Sequence, residues 1–378
     1  MGSEMCIRDS AHPVRASFRP RALSPRRAPS PGPPPARPGR ARRYARPVTT
    51  SSSPFFAGTR ALVTGGAGFI GSNLAIELAA RGADVTVVDA MIPGYGGNEF
   101  NLEPVRGKVA VHHSDIRDAR AMNELVRRQD FVFHLAGQVD HVLSLTDPFP
   151  DIDMNIKGTA VVMEAVKHHN PKARVIYTGT RGQYGPAVTL PVGEDAPTNP
   201  RGIYEISNLT AEKIIEVYDR VHGIPSVLLR LTNVYGPRAQ MKHSRYGVVN
   251  WFVRLAVDGE TMKVFGDGTI KRDFLYVDDC VEAILAAAAS DAARTEILNV
   301  GVDVSTTFRE LAETLSGLTG TGWEFAPFSA ERKAQEPGDF TSDISKIRRL
   351  LGWSPRTPLL SGLEKTIAFY RLTKPHYW

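Results

Sequence analysis

The 378-residue sequence predicts an α/β protein: a doubly wound parallel sheet with a smaller α/β portion towards the C-terminus. Two observations lead to this prediction. Short β-branched, apolar runs recur from Arg60 onwards, and amphipathic stretches of helical length separate them. Strands that alternate with helices form parallel sheets covered by helices on both faces. The predicted buried strands lie at residues 60–64, 84–89, 109–114, 131–136, 174–179 and 226–231.

The C-terminal part of the chain has a different pattern. After about residue 235 the elements are shorter and loops take up more of the sequence. Apolar residues at helical spacing there predict four helices. We expect these helices at residues 246–258, 278–290, 307–318 and 361–371.

The first 57 residues are rich in Arg, Pro, Ser and Ala, and this composition predicts disorder. An Arg- and Ser-rich, acid-poor leader is also typical of an organellar transit peptide, and an inert extension is the alternative. The residues before Thr59 contribute +9 to a net charge of +6, so the remainder is slightly acidic. A slightly acidic body gives no electrostatic reason to expect a nucleic-acid partner.

Membrane spans and cysteine-based sites are not expected. No apolar run approaches the roughly 20 residues that span a bilayer. Cys6 lies in the N-terminal tail and Cys280 in the body, which argues against a disulfide framework and for a reducing compartment. We therefore expect a cytoplasmic protein, or an organellar one if the tail is a transit peptide. No metal site is expected, because the following histidines lack metal-ligand spacing and are interpreted as core or cleft residues: His112, His113, His134 and His141.

A glycine-rich turn follows the first predicted strand. In ALVTGGAGFIG, Gly66, Gly68 and Gly71 have the spacing G-x-G-x-x-G, and an amphipathic run follows them. Such glycines let the backbone approach a pyrophosphate at a helix N-terminus, where amide groups and the helix dipole favour an anion. Asp89 ends the second strand, where a carboxylate accepts hydrogen bonds from ribose hydroxyls and repels a 2′-phosphate. The sequence therefore predicts binding of NAD rather than NADP.

Six further motifs follow in a fixed order: SDI at 114–116, FHLAGQ at 133–138, NIKGT at 155–159, TGTRGQYG at 178–185, RLTNVYGPR at 230–238 and VFGDGTIKRDFLYVDD at 264–279. With TGGAGFIG at 64–71, they resemble the motifs of the extended short-chain dehydrogenase/reductase family, the NAD-dependent nucleotide-sugar epimerases and dehydratases. The resemblance runs from Arg60 to about Trp353. FHLAGQVDHVLSLTDP and GVVNWFVRLAV are similar to the CDP-tyvelose 2-epimerase branch, beside the UDP-glucose 4-epimerases.

This resemblance implies a Rossmann-type domain that binds NAD, mainly residues 58–235, and a portion that binds the substrate, mainly residues 236–378. Some chain crossing between the two is expected. The sugar nucleotide would lie in the cleft between them. The resemblance also implies a homodimer built from two helices of each subunit, here around residues 150–169 and 204–222. Neither a nucleic acid nor a membrane is expected as a partner.

The resemblance assigns roles to individual residues. Tyr204 would transfer the proton of a sugar hydroxyl, and Thr180 would share the hydrogen bond to that oxygen. The substrate would be contacted by Asn233, Arg238, Arg272, Tyr276, Asp339 and Arg181. NAD would be held by Gly65, Gly68, Phe69, Ile70, Gly71, Asp89, Asp115, Ile116, Leu135, Ala136, Gly137, Gln138 and Asn208.

One departure concerns the proton transfer itself. The family places a lysine four residues after the tyrosine, and this chain has Asn208 there. A phenol with a pKa near 10 is a poor base at neutral pH unless a cation or a hydrogen-bond network stabilises its anion. Asn208 lies one helical turn from Tyr204 and could still contact the ribose, but it carries no charge. Lys213 falls on the opposite side of the helix, which leaves Arg181 and the nicotinamide ring as cation sources.

Two further departures bear on the reaction and the substrate. Dehydratases and decarboxylases of this family typically have an acidic residue after the threonine, whereas Thr180 is followed by Arg181, Gly182 and Gln183. This difference favours an epimerase over a dehydratase or reductase, and a catalytically silent NAD-binding protein is the remaining alternative. The arginine common three residues before Asp339 is Glu336 here, which leaves the nucleotide open.

Overall fold

The computed structural model describes residues 54–328, 333 and 336–378. Residues 1–53 of the N-terminal tail lie outside this range. The predicted disorder and the transit-peptide and extension alternatives concern these residues. The described structure begins at Pro54, within the stretch up to residue 57 for which the sequence predicts disorder. Pro54–Phe56 forms a 3-10 turn, and the buried ring of Phe56 packs 5.6 Å from that of Phe131. These aromatic side chains provide apolar surface that the preceding Arg- and Pro-rich sequence mostly lacks.

A seven-stranded parallel sheet forms the centre of the described structure, in the order β11-β6-β5-β4-β1-β2-β3. The order reverses between β1 and β4, so a crevice opens beyond the carboxyl ends of these strands. The small pairs β7–β10, β9–β12 and β8–β13 lie outside the central sheet. In chain order the strands are β1 Arg60–Thr64, β2 Asp84–Asp89, β3 Ala110–His113, β4 Phe131–His134, β5 Arg174–Thr180, β6 Ser226–Leu231, β7 Asn233–Tyr235, β8 Met262–Phe265, β9 Lys271–Arg272, β10 Phe274–Tyr276, β11 Ile297–Val300, β12 Thr306–Thr307 and β13 Trp323–Ala326.

The helices cover both faces of the sheet and build the C-terminal portion. A helical turn at Phe149–Asp151 and a π-helical turn at Ile152–Lys157 lead directly into α4. The helices are α1 Phe69–Ala80, α2 Ala119–Leu125, α3 His141–Thr146, α4 Gly158–His169, α5 Ile203–His222, α6 Val248–Asp258, α7 Val277–Ala289, α8 Phe308–Thr319, α9 Ser345–Leu351 and α10 Leu359–Thr373. Further 3-10 turns lie at Glu99–Val105, Arg181–Tyr184, Asp291–Ala293 and Lys374–His376. No helix among the described residues is long and apolar enough to cross a membrane.

Three apolar clusters hold these layers together. On one face of the sheet α1 and α7 bury residues such as Leu74 and Ile284. On the other face α2, α4 and α5 contribute residues such as Val162 and Ile215. A third cluster joins α6, α8 and α10 in the C-terminal portion. β11 and α7 come from the C-terminal part of the sequence and pack into the central sheet.

The predicted strands and C-terminal helices are all present, with one error in burial. The third predicted strand, β3, is exposed at each of its four residues. β3 is the edge strand of the sheet and has β2 as its neighbour, so its side chains remain accessible. Its apolar residues alone therefore did not show whether the strand is covered. The prediction that His112 and His113 are core or cleft residues was wrong, because both are exposed on β3. His134 is buried, and its ring nitrogens lie 3.0 Å from the hydroxyls of Thr64 and Thr159.

Candidate active site

A cleft of about 980 Å³ opens beyond the carboxyl ends of the central strands. It is lined by all thirteen residues that the sequence assigns to the cofactor and by Tyr204, Thr180, Arg181, Asn233 and Arg272. Its lining includes residues of β2 and β5, residues that follow β1 and β4, and the start of α5. Parallel sheets bind ligands at this edge because the strand ends and helix N-termini converge there.

The turn between β1 and α1 has no room for side chains. Gly65 has a φ of +67°, and a Cβ there would lie 2.9 Å from the Cα of Ala136. A Cβ on Gly71 would lie 2.2 Å from the carbonyl oxygen of Gly65. Gly68 precedes the first turn of α1 without a capping side chain, so the N-terminal amides of α1 face the cleft edge. Such an arrangement binds a pyrophosphate, because backbone donors and the helix dipole favour an anion.

Two carboxylates lie along the same wall. Asp89 at the end of β2 accepts hydrogen bonds from the amides of Ala67, at 3.1 Å, and Met91, at 2.9 Å. Burial raises the pKa of Asp89, although these hydrogen bonds oppose the shift. Asp115 accepts hydrogen bonds from the side chain of Arg117, and these lower the pKa of Asp115. Both side chains line the cleft, where the sequence predicts the adenosine half of the cofactor.

A network of hydrogen bonds fixes the backbone after β4. The hydroxyl of Thr64 accepts from the amides of Leu135, at 3.1 Å, and Ala136, at 3.0 Å. From the π-helical turn, Asn155 accepts from the amide of Gln138 at 2.8 Å. A Cβ on Gly137 would lie 2.6 Å from the Oδ1 atom of Asn155, so glycine is required there. π-Helical turns often occur at functional sites, and this one holds part of the segment predicted to bind NAD.

The side chains of Tyr204 and Thr180 are neighbours, and both line the cleft. Thr180 ends β5, and Tyr204 lies in the first turn of α5. Burial raises the pKa of Tyr204 above its ordinary value, and the negative charge of Glu205 raises it further. The hydrogen bond from Thr180 and the charge of Arg181 act in the opposite direction but are smaller. Tyr204 is therefore a neutral phenol at physiological pH in the protein without ligands.

Asn208 is buried one turn further along α5. Its Nδ2 atom donates to the carbonyl oxygen of Tyr204 at 2.8 Å. Its Oδ1 atom accepts from the hydroxyl of Tyr177 on β5 at 3.1 Å. Lys213 is half-exposed and pairs with Glu216 at 2.7 Å, so it lies away from the cleft as its helical position predicts.

Two arginines, Arg181 and Arg272, line the cleft. The Arg181 guanidinium stacks 4.9 Å from the ring of Phe340, and burial lowers the pKa of Arg181 to about 10. Arg181 remains charged at neutral pH and forms no ion pair within the described residues. Arg272 instead forms an ion pair with Glu336 and donates to the carbonyl oxygens of Lys271 and Gly338. The carboxylate paired with Arg272 is thus that of Glu336. The resemblance to the family implies an arginine at this position.

Three predicted substrate residues lie outside the cleft lining that the described residues form. Arg238 donates to the Oδ1 atom of Asn73 at 2.9 Å and stacks on Phe369. Tyr276 is buried in the C-terminal core, 5.7 Å from the ring of Tyr235. Asp339 accepts from the amide of Lys271 at 2.9 Å, next to the Arg272 backbone. The structure thus gives these side chains packing or backbone partners instead of access to the cleft.

The sequence interpretation did not include Glu205, which also lines the cleft. Its carboxylate lies 2.6 Å from the Nδ1 atom of His141, at the start of α3. A Cβ on Gly182, two residues after Thr180, would lie 2.6 Å from the Glu205 side chain. A carboxylate therefore does lie beside the segment after Thr180, but it comes from α5. Its position directly after Tyr204 was the signal that could have identified it.

These features define a dinucleotide-binding α/β protein with a tyrosine–threonine site at the carboxyl edge of its sheet. Residues 61–301 match the model of the NAD dependent epimerase/dehydratase family. The chain belongs to this family, whose members use NAD. The glycine turn, which a Cβ would fill, and the Asp89 carboxylate fit the pyrophosphate and ribose of this cofactor.

The relatives carry out several reactions. The chain is 34% identical over 317 residues to UDP-glucose 4-epimerase of Mycolicibacterium smegmatis, covering 82% of this chain and 98% of the relative. It is 33% identical over 323 residues to UDP-N-acetyl-alpha-D-glucosaminuronate decarboxylase of Bacillus cytotoxicus, covering 82% and 98%. The family therefore includes epimerases and enzymes that remove a group from the sugar.

Solved structures lead to the same fold. UDP-glucose 4-epimerase of Thermotoga maritima, solved with UDP-glucose, aligns with a TM-score of 0.76 and 32% identity, covering 84% of this chain and 100% of that one. The dTDP-glucose 4,6-dehydratase DesIV of Streptomyces venezuelae, solved with NAD, aligns with a TM-score of 0.78 and 27% identity, covering 84% and 99%.

Proposed function

We propose that this protein is an NAD-dependent epimerase of a nucleotide-activated sugar. The observation that carries the proposal is the Tyr204–Thr180 pair, which lies in the cleft predicted to hold the nicotinamide. When bound, NAD would supply the hydride acceptor for a sugar carbon, and the resulting NADH would supply the hydride for the opposite face. The protein then needs to bind one sugar hydroxyl firmly, move its proton and allow the keto-sugar to rotate in the cleft. Two hydroxyl donors at one point are suited to the first of these tasks.

In this proposal each side of the cleft has its own task. Residues 58–235 mainly bind NAD, and residues 236–378 mainly bind the sugar nucleotide. Tyr204 and Thr180 bind the hydroxyl that becomes the carbonyl group. The charged guanidinium of Arg181 lies beside this pair and favours negative charge on the sugar oxygen. Asn233 and Arg272 at the far end are the candidates for contacts to the phosphates.

The experiment is a screen of UDP-, CDP-, GDP- and dTDP-hexoses with the purified protein and NAD. An epimerase changes the NMR spectrum of the sugar without changing its mass. A dehydratase lowers the mass by one water, and a decarboxylase acting on a uronic acid lowers it by one carbon dioxide. A folded, NAD-binding protein that changes none of these sugars and never reduces its NAD would refute the enzymatic proposal for these substrates.

We further propose that the protein forms a homodimer through α5 and the segment that precedes α4. Ile206, Val217 and Val221 are exposed and recur on one face of α5. Phe149 and Ile152 are exposed on the segment before α4. Apolar side chains grouped in this way favour burial against another surface. Light scattering should give twice the mass of the chain, and Val217→Glu should reduce it to one. An unchanged monomer mass in the original protein would contradict the proposal.

A further inference from the structure

His141 and Glu205 form a pair at the mouth of the catalytic centre. The Nδ1 atom of His141 lies 2.6 Å from the Oε1 atom of Glu205. The two residues come from different elements, α3 and α5. The imidazole meets the ring of Tyr204 edge to face, with a centroid distance of 6.5 Å. About a third of the His141 side chain is accessible, and it lines the cleft together with Glu205.

The backbone leaves space for this pair at two glycines. A Cβ on Gly202 would lie 2.3 Å from the Oε2 atom of Glu205 and 3.2 Å from the Cε1 atom of His141. A Cβ on Gly182 would lie 2.6 Å from the Cγ atom of Glu205. The Oε2 atom of Glu205 is buried and has no hydrogen-bond partner among the described residues. Burial of a carboxylate oxygen without a hydrogen-bond partner is costly, so this oxygen is a candidate for a contact with a ligand.

The hydrogen bond to Glu205 determines which nitrogen of His141 is free. In the neutral imidazole the Nδ1–H group donates a hydrogen bond to the carboxylate, so the Nε2 atom carries the lone pair. Within the described residues the structure gives this nitrogen no partner. Glu205 raises the pKa of His141 through this hydrogen bond, while burial and the charge of Arg181 oppose the shift. Asp140 also favours the charged ring, although Arg245 forms an ion pair with Asp140 at 2.9 Å.

Tyr204, in contrast, has among the described residues only the Thr180 side chain and the Arg181 charge to favour a phenolate. Burial and two nearby carboxylates, Glu205 and Asp151, raise its pKa, and the family's lysine is absent. The same carboxylate that makes Tyr204 a weaker acid makes His141 a stronger base. In the described part of the cleft the group best able to accept a proton near neutral pH is therefore the imidazole and not the phenol.

We infer that His141, oriented by Glu205, accepts the proton of the sugar hydroxyl, while Tyr204 stays protonated and donates a hydrogen bond to the same oxygen. The inference rests on the proposed function and specifies its base. The O–H bond breaks, its proton goes to Nε2, and its electron pair forms the carbonyl group as the hydride of that carbon leaves to NAD. In the second half of the reaction the proton returns from Nε2 to the oxygen. His141 is then a catalytic residue and Glu205 a positioning residue.

The first test needs no sugar. The ring protons of His141 are followed by NMR against pH in the protein loaded with NAD, and Glu205→Gln is compared with the original chain. We expect His141 to titrate above the ordinary histidine range and to move down in Glu205→Gln, because the carboxylate charge is lost. If the pKa of His141 is the same in Glu205→Gln as in the original chain, the proposed His141–Glu205 pair is refuted.

The second test is the pH dependence of kcat/KM with the sugar nucleotide found in the screen. We expect His141→Asn to lower kcat by roughly 10²- to 10³-fold, the range for loss of a general base. Activity should rise with pH through the raised pKa of His141, and Glu205→Gln should move this rise to lower pH. A merely structural role of Glu205 would lower the rate without moving the rise.

A matched control is His168→Asn, since His168 forms an exposed pair with Glu164 at 3.1 Å on α4, outside the cleft. It should leave the profile unchanged. If His141→Asn is folded and keeps its full rate, or if Tyr204→Phe alone removes the rise with pH, the phenol is the base and the inference is wrong. A screen without any substrate refutes the proposed function, whereas the titration separately decides whether the pair exists.

Discussion

Asn208, one helical turn after Tyr204, accepts a hydrogen bond from the hydroxyl of Tyr177 at 3.1 Å. The rest of the Asn208 amide is turned onto the carbonyl oxygen of Tyr204. Both side chains are buried, so the pair joins β5 to α5 without bringing a charge to the catalytic centre. The hydrogen-bonding groups of the Asn208 amide are therefore satisfied. The side chain is neutral, so it adds no positive charge that would lower the pKa of Tyr204.

Restoring the lysine should create a second route for the proton. An ammonium group at position 208 favours the phenolate of Tyr204 and lowers its pKa. We expect His141→Asn/Asn208→Lys to recover about 10-fold of the activity that His141→Asn loses, because Tyr204 then serves as the base. The measurement is kcat for the two variants at neutral pH. Thr210→Lys, which adds the same charge elsewhere on α5, is the control, and a double variant no faster than His141→Asn would contradict the prediction.

Glu336 should weaken binding of the substrate phosphates, because it forms an ion pair with the Arg272 guanidinium. The Arg272 side chain is almost fully buried and paired with Glu336, so a phosphate must compete with a carboxylate for it. We expect Glu336→Gln to lower the Kd of a UDP- or dTDP-hexose by about 3- to 10-fold, or roughly 1 kcal/mol. Calorimetric titration checks this value. The exposed Glu324 provides the control Glu324→Gln, and unchanged or weaker binding in Glu336→Gln would show that Arg272 does not meet the phosphates.

Local pattern predicted the sheet because each strand is a short apolar run, and the glycine turn predicted the cofactor edge because its steric requirement is local. The relationships that define the site chemistry are not local. His141 meets Glu205 across 64 positions of sequence, and Arg272 meets Glu336 across the same separation. No spacing rule connects such residues, since packing of separate elements brings them together. The exposure of β3 likewise depends on its place in the sheet order and not on its own residues.

The turn after β1 should tolerate no added methyl group. A Cβ on Gly71 would overlap the carbonyl oxygen of Gly65, so Gly71→Ala should displace α1 from β1. We expect NAD binding to weaken by at least about 10-fold, since the anion site is made by this backbone. In α8, a methyl group on Gly317 would lie in open space, and Gly317→Ala should stabilise the protein by about 0.5–1 kcal/mol. Titration with NAD and thermal unfolding check both; unchanged NAD affinity in Gly71→Ala would contradict the prediction.

The buried ion pair of Glu212 and Arg230 is linked to Thr180 by hydrogen bonds through Gln183. The carboxylate accepts from Arg230 at 2.6 and 2.9 Å and from Gln183 at 2.8 Å. Gln183 in turn accepts from the amide of Thr180 at 3.0 Å. Both charged side chains are at most 3% exposed, so loss of one leaves the other charge buried and uncompensated.

We therefore expect Glu212→Ala to lower the free energy of unfolding by about 3–5 kcal/mol. Glu212→Leu/Arg230→Met, which removes both charges, should cost less than Glu212→Ala because no unpaired ion remains. Urea unfolding of these variants measures the difference, with Arg220→Ala as an exposed control on the same helix that should change stability by less than about 0.5 kcal/mol. If Glu212→Ala costs no more than that control, the ion pair does not hold the Thr180 segment in place.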